Sequence, residues 1–519
     1  MKKLSIRPME FYCDRGENSG AVKVAEDILR NKIKLWGEYY FEPTTENIFD
    51  TVFETTDQTY RMYLFAMDYL STLLTAYRQT NDQRYRDKFL EIVRQFFAFY
   101  DRGALVLAKE DDLIPCAQTL MFIKSFTLID YEVSLREKII GLLYEHALYC
   151  FDDQNHYDNN NHGLFTDMAL LHLSVLFDAL PEAAAWQRHA VERVRRLYAV
   201  AFYEDGFNNE GSLTYFLLNL LQYQKILSFC AAYKIAGLEL VQKGLNRSRA
   251  VAGSFAHRDN SFPVIGDGRE NFTSGFQHDS ISALYPDGGI CVLKTGDIYL
   301  TFKCKSTLQS HTHVDDSSIT IRYRDIDLAL DCGQYNYDRY HPVNWYLRAS
   351  SGHSGIFPLF VDGLFLREYL DRRNAAGIQD YRFDGTIGTV SGGYELDDGA
   401  IKVWRSVTVE PDRVEVRDRW ECASPQTMRQ RFALPKEFLP KSKFTVSKRL
   451  FETVVGTCGI RYQILSESPV FTTTNFGVLS RLYEEFEPAI LLDTVAEHSM
   501  GGEITAVITI QDKGAHGNG

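Results

Sequence analysis

The sequence predicts an α+β multidomain protein, with a helical first half and an antiparallel β-sandwich in the second. Three observations carry this. The 519-residue chain exceeds what one ordinary core organises. Its first 250 residues repeat apolar positions at three- and four-residue spacing. After about residue 250 the pattern shortens to alternating runs separated by turn signals. Expected bounds are 1–252 for the helical domain, 253–284 for a linker and 285–519 for the sandwich.

Helices are predicted over 58–79, 84–100, 132–150, 163–178, 184–202 and 212–235. In the last, Leu213, Leu217, Leu220 and Leu221 form one stripe, and Tyr215, Asn219 and Gln222 another, more polar one. Serial helices of similar length suit an α/α toroid (an incomplete helical barrel) or a solenoid. Loop formers Asn260, Pro263, Gly266, Asp267 and Gly268 mark the junction. Strands are expected over 298–303, 319–323, 401–404 and 414–418. Asp287-Gly-Gly289 and Asp397-Asp-Gly399 read as turns between strands. The Gly-rich end, 515–519, reads as a frayed tail.

Composition narrows the function. Hydrophobic content is 45% and charged content 24%, as in soluble globular proteins. A net charge of −13 argues against nucleic acid, whose phosphates need a basic footprint. It would also oppose a long polyanion unless a local patch, such as Arg348, Arg367, Arg372 and Arg373, compensates. The abundant Tyr and Phe (30 and 34) suit aromatic-lined sugar clefts as well as cores. Nine scattered Cys without a CxxC predict free buried thiols in a reducing compartment. The N-terminus carries no apolar signal region, and no run of 18 apolar residues suggests a membrane span. The expected setting is cytoplasmic.

Polar clusters interrupt the apolar pattern. Asn159-Asn-Asn-His-Gly163 stands before a helix, where an Asn can cap and where a helix N-terminus can receive a carboxylate. Asp205-Gly-Phe-Asn-Asn-Glu-Gly-Ser-Leu-Thr-Tyr215 opens the 212–235 helix. His311, His313 and Asp315 alternate ahead of a strand, which could turn them to one face. Asp331 ends the next alternating run, and His353 follows in a Gly/Ser-rich loop. Two imidazoles and a carboxylate are common zinc ligands.

Taken in order, these clusters and the intervening Gly266-Asp267 resemble the heparinase II/III-like polysaccharide lyases. The closing element is His353-Ser-Gly-Ile-Phe-Pro-Leu-Phe-Val-Asp-Gly363. The resemblance covers about residues 150–420. It implies an N-terminal α/α toroid before a β-sandwich, and β-elimination on uronic-acid-containing oligo- or polysaccharides. By the same resemblance Tyr215 is the catalytic acid, and in some members also the base. Asn161, with His311, neutralises the uronate carboxylate. His162 is the base when the C5 proton lies on the other face. Asn160, Glu210 and Arg348 are expected to bind substrate. His313, Asp331 and His353 would hold a largely structural zinc ion. Ser354 stands where many relatives have Asn. Two other readings remain. One is a glycoside hydrolase using Asp167, Asp205 or Glu210, since hydrolysis needs two placed acids. The other is a non-catalytic carbohydrate-binding protein. The charge and the missing signal favour short imported oligosaccharides, and exposed strands allow a homodimer.

Overall fold

The computed structural model describes residues 4–14, 20–36, 39–53, 58–103, 105–270, 275–309, 311–338 and 340–512. The expected tail at 515–519 lies outside them. The chain folds as an N-terminal α/α toroid followed by a C-terminal antiparallel β-sandwich. Its two compact units are Met1–Ala201 with Leu221–Leu245, and Phe202–Leu220 with Asn246–Gly519.

Helices run α1 (Ala21–Leu29), α2 (Thr59–Ala66), α3 (Asp68–Thr80), α4 (Gln83–Tyr100), α5 (Leu113–Phe126), α6 (Val133–Phe151), α7 (Asn161–Leu176), α8 (Ala183–Ala201), α9 (Leu213–Ala232) and α10 (Glu239–Phe255). The helix expected over 58–79 is two, because Met67 adopts a left-handed conformation (φ 57°) and its N–H closes on Tyr63. The sequence pattern misses α5 because nearly every residue of it is buried, including Gln118, Thr119 and Lys124. A helix buried all round has no polar face to reveal its period. Lys124 is tolerated there because Asp14, Ser71 and Thr75 accept from its ammonium at 2.6–3.1 Å. Among the described residues no helix is long and apolar enough to cross a membrane.

In the second unit, five antiparallel strands (Ala283–Tyr285, Ile290–Thr295, Ile298–Lys303, Ser318–Tyr323, Ile326–Ala329) pair in sequence order. A larger sheet is built on Arg413–Leu434, which pairs with both Ile401–Glu410 and Glu485–Asp512. Ile401–Glu410 alternates buried and half-buried residues along its whole length, as a strand covered on one face must. Side chains from both sheets, among them Leu300, Phe302, Ile321, Tyr394, Val403 and Trp420, form one core. All nine cysteines are buried thiols.

Candidate active site and candidate metal centre

In the second unit, α9 presents Tyr215 from its first turn, where Tyr215 N–H reaches Ser212 Oγ at 3.5 Å. Ser212 Oγ in turn donates to the Asp267 carbonyl. The Tyr215 ring lies flat on the His311 ring, with centroids 3.3 Å apart and planes 8° apart. Its hydroxyl meets the Tyr337 hydroxyl.

His311 is held from both sides. Nδ1 bonds Asp267 Oδ2 at 2.8 Å, and Nε2 faces Glu210 Oε2 at 3.6 Å. Asp267 is fully buried and spends its other oxygen on His313 Nε2, also at 2.8 Å. Arg348, half exposed at the end of α11 (Pro342–Arg348), pairs with Asp267 Oδ2. Burial pushes the Asp267 carboxyl up. The Arg348 guanidinium and the two imidazoles outweigh it and hold the group well below the usual carboxylate range. The turn at Gly266 (φ 61°) makes this possible, because a Cβ there would meet the His311 carbonyl at 2.7 Å.

The convergence of His311 and His313 therefore comes from Asp267 and not from strand alternation. His311 itself has φ 71°, and the strand begins only at Ser318. Asp315 does not join them. It is buried against Lys303 Nζ (2.5 Å) and Ser306 (2.9 Å).

Glu210, expected at the substrate, is buried. Asn219 donates to its Oε1 at 2.9 Å and Oε2 backs His311, so its position suits holding that ring. The arginines offered as a basic patch are largely neutralised: Arg348 by Asp267, Arg372 by Asp397 and Arg373 by Asp316.

His313, Asp331 and His353 come together, and Cys332 joins them. Ligand atoms of all four lie within 4.8 Å of one another, fully buried. Asp331 Oδ1 is 3.2 Å from His353 Nδ1. Cys332 Sγ is 3.8 Å from His353 and 3.9 Å from His313 Nδ1. Tetrahedral zinc with N, O and S ligands separates its donors by about 3.3–3.8 Å, so this set suits such an ion in donor type, and its separations of 3.2–3.9 Å, with none above 4.8 Å, need only small side-chain shifts to close on one. The His313–Asp267 bond is the kind of carboxylate contact that would orient the imidazole of a metal ligand. Ser354 has its own task, donating to the Leu330 carbonyl and accepting from Ala433 N–H.

The first unit places Asn160, Asn161 and His162 at the start of α7. Asn160 caps the helix, its Oδ1 accepting from His162 N–H at 3.0 Å. Asn161 is buried in the first helical position. His162 Nδ1 meets both oxygens of buried Asp112, at 2.9 and 3.1 Å. Gly163 is required because a Cβ there would lie 1.9 Å from the Tyr157 carbonyl.

The carboxylates considered for hydrolysis are engaged elsewhere. Asp167 is fully buried beside His156 and Arg193. Asp205 accepts from three backbone N–H groups of turns.

The sequence reading missed Asp267 as the organising carboxylate, Cys332 as a potential ligand, and Tyr337 and Asp112 as partners. Asp267 had a signal in its Gly-Asp-Gly turn. Cys332 had one in standing beside Asp331. Tyr337 and Asp112 had none.

Residues 115–287 match the family model described as the heparinase II/III N-terminus, and residues 278–480 match the heparinase II/III-like C-terminal model. The chain belongs to the heparinase II/III-like family. It superposes on a heparinase III crystal structure with TM-score 0.82 at 11% identity, covering 98% of this chain and 87% of that one. The heparan sulfate lyase HepC of Pedobacter heparinus gives 0.66 at 14%, covering 97% and 85%. A chondroitin AC lyase of Streptomyces coelicolor, solved with chondroitin sulphate, gives 0.57 at 10%, covering 98% and 80%. No curated protein matches in sequence. At these identities the likeness shows a shared polysaccharide-lyase fold.

Proposed function

We propose that the protein is a lyase that cleaves uronic-acid-containing oligosaccharides by β-elimination. The observation that carries this is Tyr215 stacked on His311, with His311 fixed by Asp267. In the reaction a base takes the C5 proton, the electron pair forms the C4=C5 bond, and the C4–O4 bond breaks. The leaving oxygen needs a proton, which the Tyr215 hydroxyl supplies. The developing charge on the uronate needs fixed donors, a role for His311 and Asn161. Asp267 orients His311 at no cost in reorganisation during the reaction. His162 is the alternative base. The net charge of −13 favours short substrates over long polyanions.

Zinc belongs to this reading as a structural ion held by His313, Asp331 and His353, with Cys332 as a fourth donor. When bound it would fix the loop that presents His311. The carboxylates a hydrolase would use are committed to structural bonds, so elimination is the better account.

The test is the ultraviolet absorbance of the conjugated 4,5-unsaturated uronate on a panel of uronide oligomers and polymers. Wild type should produce it, and Tyr215→Phe should lose about 1,000-fold in rate. New reducing ends without that absorbance would replace elimination by hydrolysis.

A further inference from the structure

Asp112 is wholly buried, directly before α5, and its two oxygens both face one nitrogen of His162. Burial raises its carboxyl pKa, and the His162 bond is the largest influence lowering it. His162 is the side chain that bonds this buried carboxylate among the described residues, and it belongs to the polar cluster at the start of α7. The His162 side chain is itself 41% exposed, flanked by Tyr157 and Phe165 at ring distances of 5.6 and 6.2 Å. A carboxylate accepts only, so Nδ1 must carry the proton of this bond. The neutral ring then has its acceptor lone pair on Nε2.

We propose that Asp112 is a positioning residue that fixes His162 in the tautomer and orientation of a base, giving the enzyme access to iduronate-type uronides. The inference rests on the lyase reading above. Its stereochemistry is general. In a glucuronate-type residue H5 and O4 lie on the same side of the ring, so one group can take the proton and later return one to the leaving oxygen. In the C5 epimer, an iduronate-type residue, they lie on opposite sides, and a second group must take the proton. His162 Nε2 accepts it as the C4=C5 bond forms and C4–O4 breaks. Asp112 then faces the imidazolium through Nδ1–H. An amide at 112 offers an NH2 group and a weaker acceptor, and it no longer selects one tautomer.

The experiment uses the full-length protein and substrates that differ only at C5: chondroitin and dermatan oligosaccharides, and heparosan before and after epimerisation. The readout is the ratio of kcat/KM for the iduronate form to that for the glucuronate form. Asp112→Asn should lower this ratio by about 100-fold, the usual scale of a lost general base. Asp112→Glu, which keeps the carboxylate, should recover much of it. Nitrogen-15 spectra of the His162 ring should show Nδ1 protonated and Nε2 bare at neutral pH in wild type, and a mixture of tautomers in Asp112→Asn. A ratio unmoved by Asp112→Asn, a wild type that opens only glucuronate forms, or a tautomer indifferent to residue 112 would each overturn the proposal. If neither epimer yields an unsaturated product, the lyase reading itself has failed, and with it the iduronate role, while the nitrogen spectra still decide whether Asp112 sets the tautomer.

Discussion

The imidazole of His311 covers the phenol ring of Tyr215, nearly parallel and 3.3 Å away. Contact over a whole ring face fixes the tyrosine's direction, and the hydroxyl ends against Tyr337. Tyr337 therefore completes the setting of the proposed acid. Replacing it with Phe keeps the ring packing against Tyr483 and removes one hydroxyl. We expect kcat to fall about tenfold, with stability changed by about 1 kcal/mol, the scale of one hydrogen bond. Steady-state kinetics and thermal unfolding check this, and wild-type kcat in the variant would remove Tyr337 from the site.

Asp267 serves His311, His313 and Arg348 together. Asp267→Asn keeps the shape but sets an NH2 group against one of the imidazoles. Two losses should appear at once. Activity should drop about 100-fold, as when a carboxylate orienting a functional histidine is removed. Stability should drop about 3 kcal/mol, because His311, His313 and Arg348 lose the buried anion they share. Arg348→Met removes a half-exposed partner and should cost far less stability. Equal unfolding temperatures for the two variants would contradict the central place given to Asp267.

Metal analysis of protein purified without chelator should find about one zinc per chain. His353→Ala should abolish it. Cys332→Ser separates a three-ligand site from a four-ligand one. With cobalt in place of zinc, a thiolate ligand gives an intense sulfur-to-metal charge-transfer band, and the serine variant should lack it while still binding metal. A cobalt spectrum identical in wild type and variant would leave Cys332 a buried thiol beside the site.

The two-part fold was legible because amphipathic helices and half-buried strands advertise their periods. The site was legible only where residues stand close in sequence. Asn160 to His162, His311 and His313, and Asp331 stand in short runs, and the structure places the first at the start of α7 and His313 and Asp331 in one buried cluster. His311 and His313 do not meet by strand alternation. They meet through a carboxylate more than forty residues away, across a turn that no local period encodes. Asp112 was invisible for the same reason, lying fifty residues before His162. Glu210 shows a different limit: its place beside the site could be inferred, but its burial behind His311 depends on packing.

Arg405 and Asp418 form a wholly buried pair between adjacent strands of the large sheet, at 2.6 and 2.7 Å. Arg405 also donates to the carbonyls of Ser317 and Ser354, at 2.8 and 2.9 Å. Those residues close the two loops that carry His313 and His353, so one side chain ties both to the sandwich core. Arg405→Met should destabilise the protein by about 4 kcal/mol, because Asp418 is left buried with Gln430 as its one side-chain donor among the described residues. Adding Asp418→Leu removes that orphaned charge and should restore much of the stability. It cannot restore the carbonyl contacts. The double variant should therefore unfold near the wild-type temperature yet release zinc faster to a chelator. Unfolding and zinc loss that recover together would mean the loops are held by something other than Arg405.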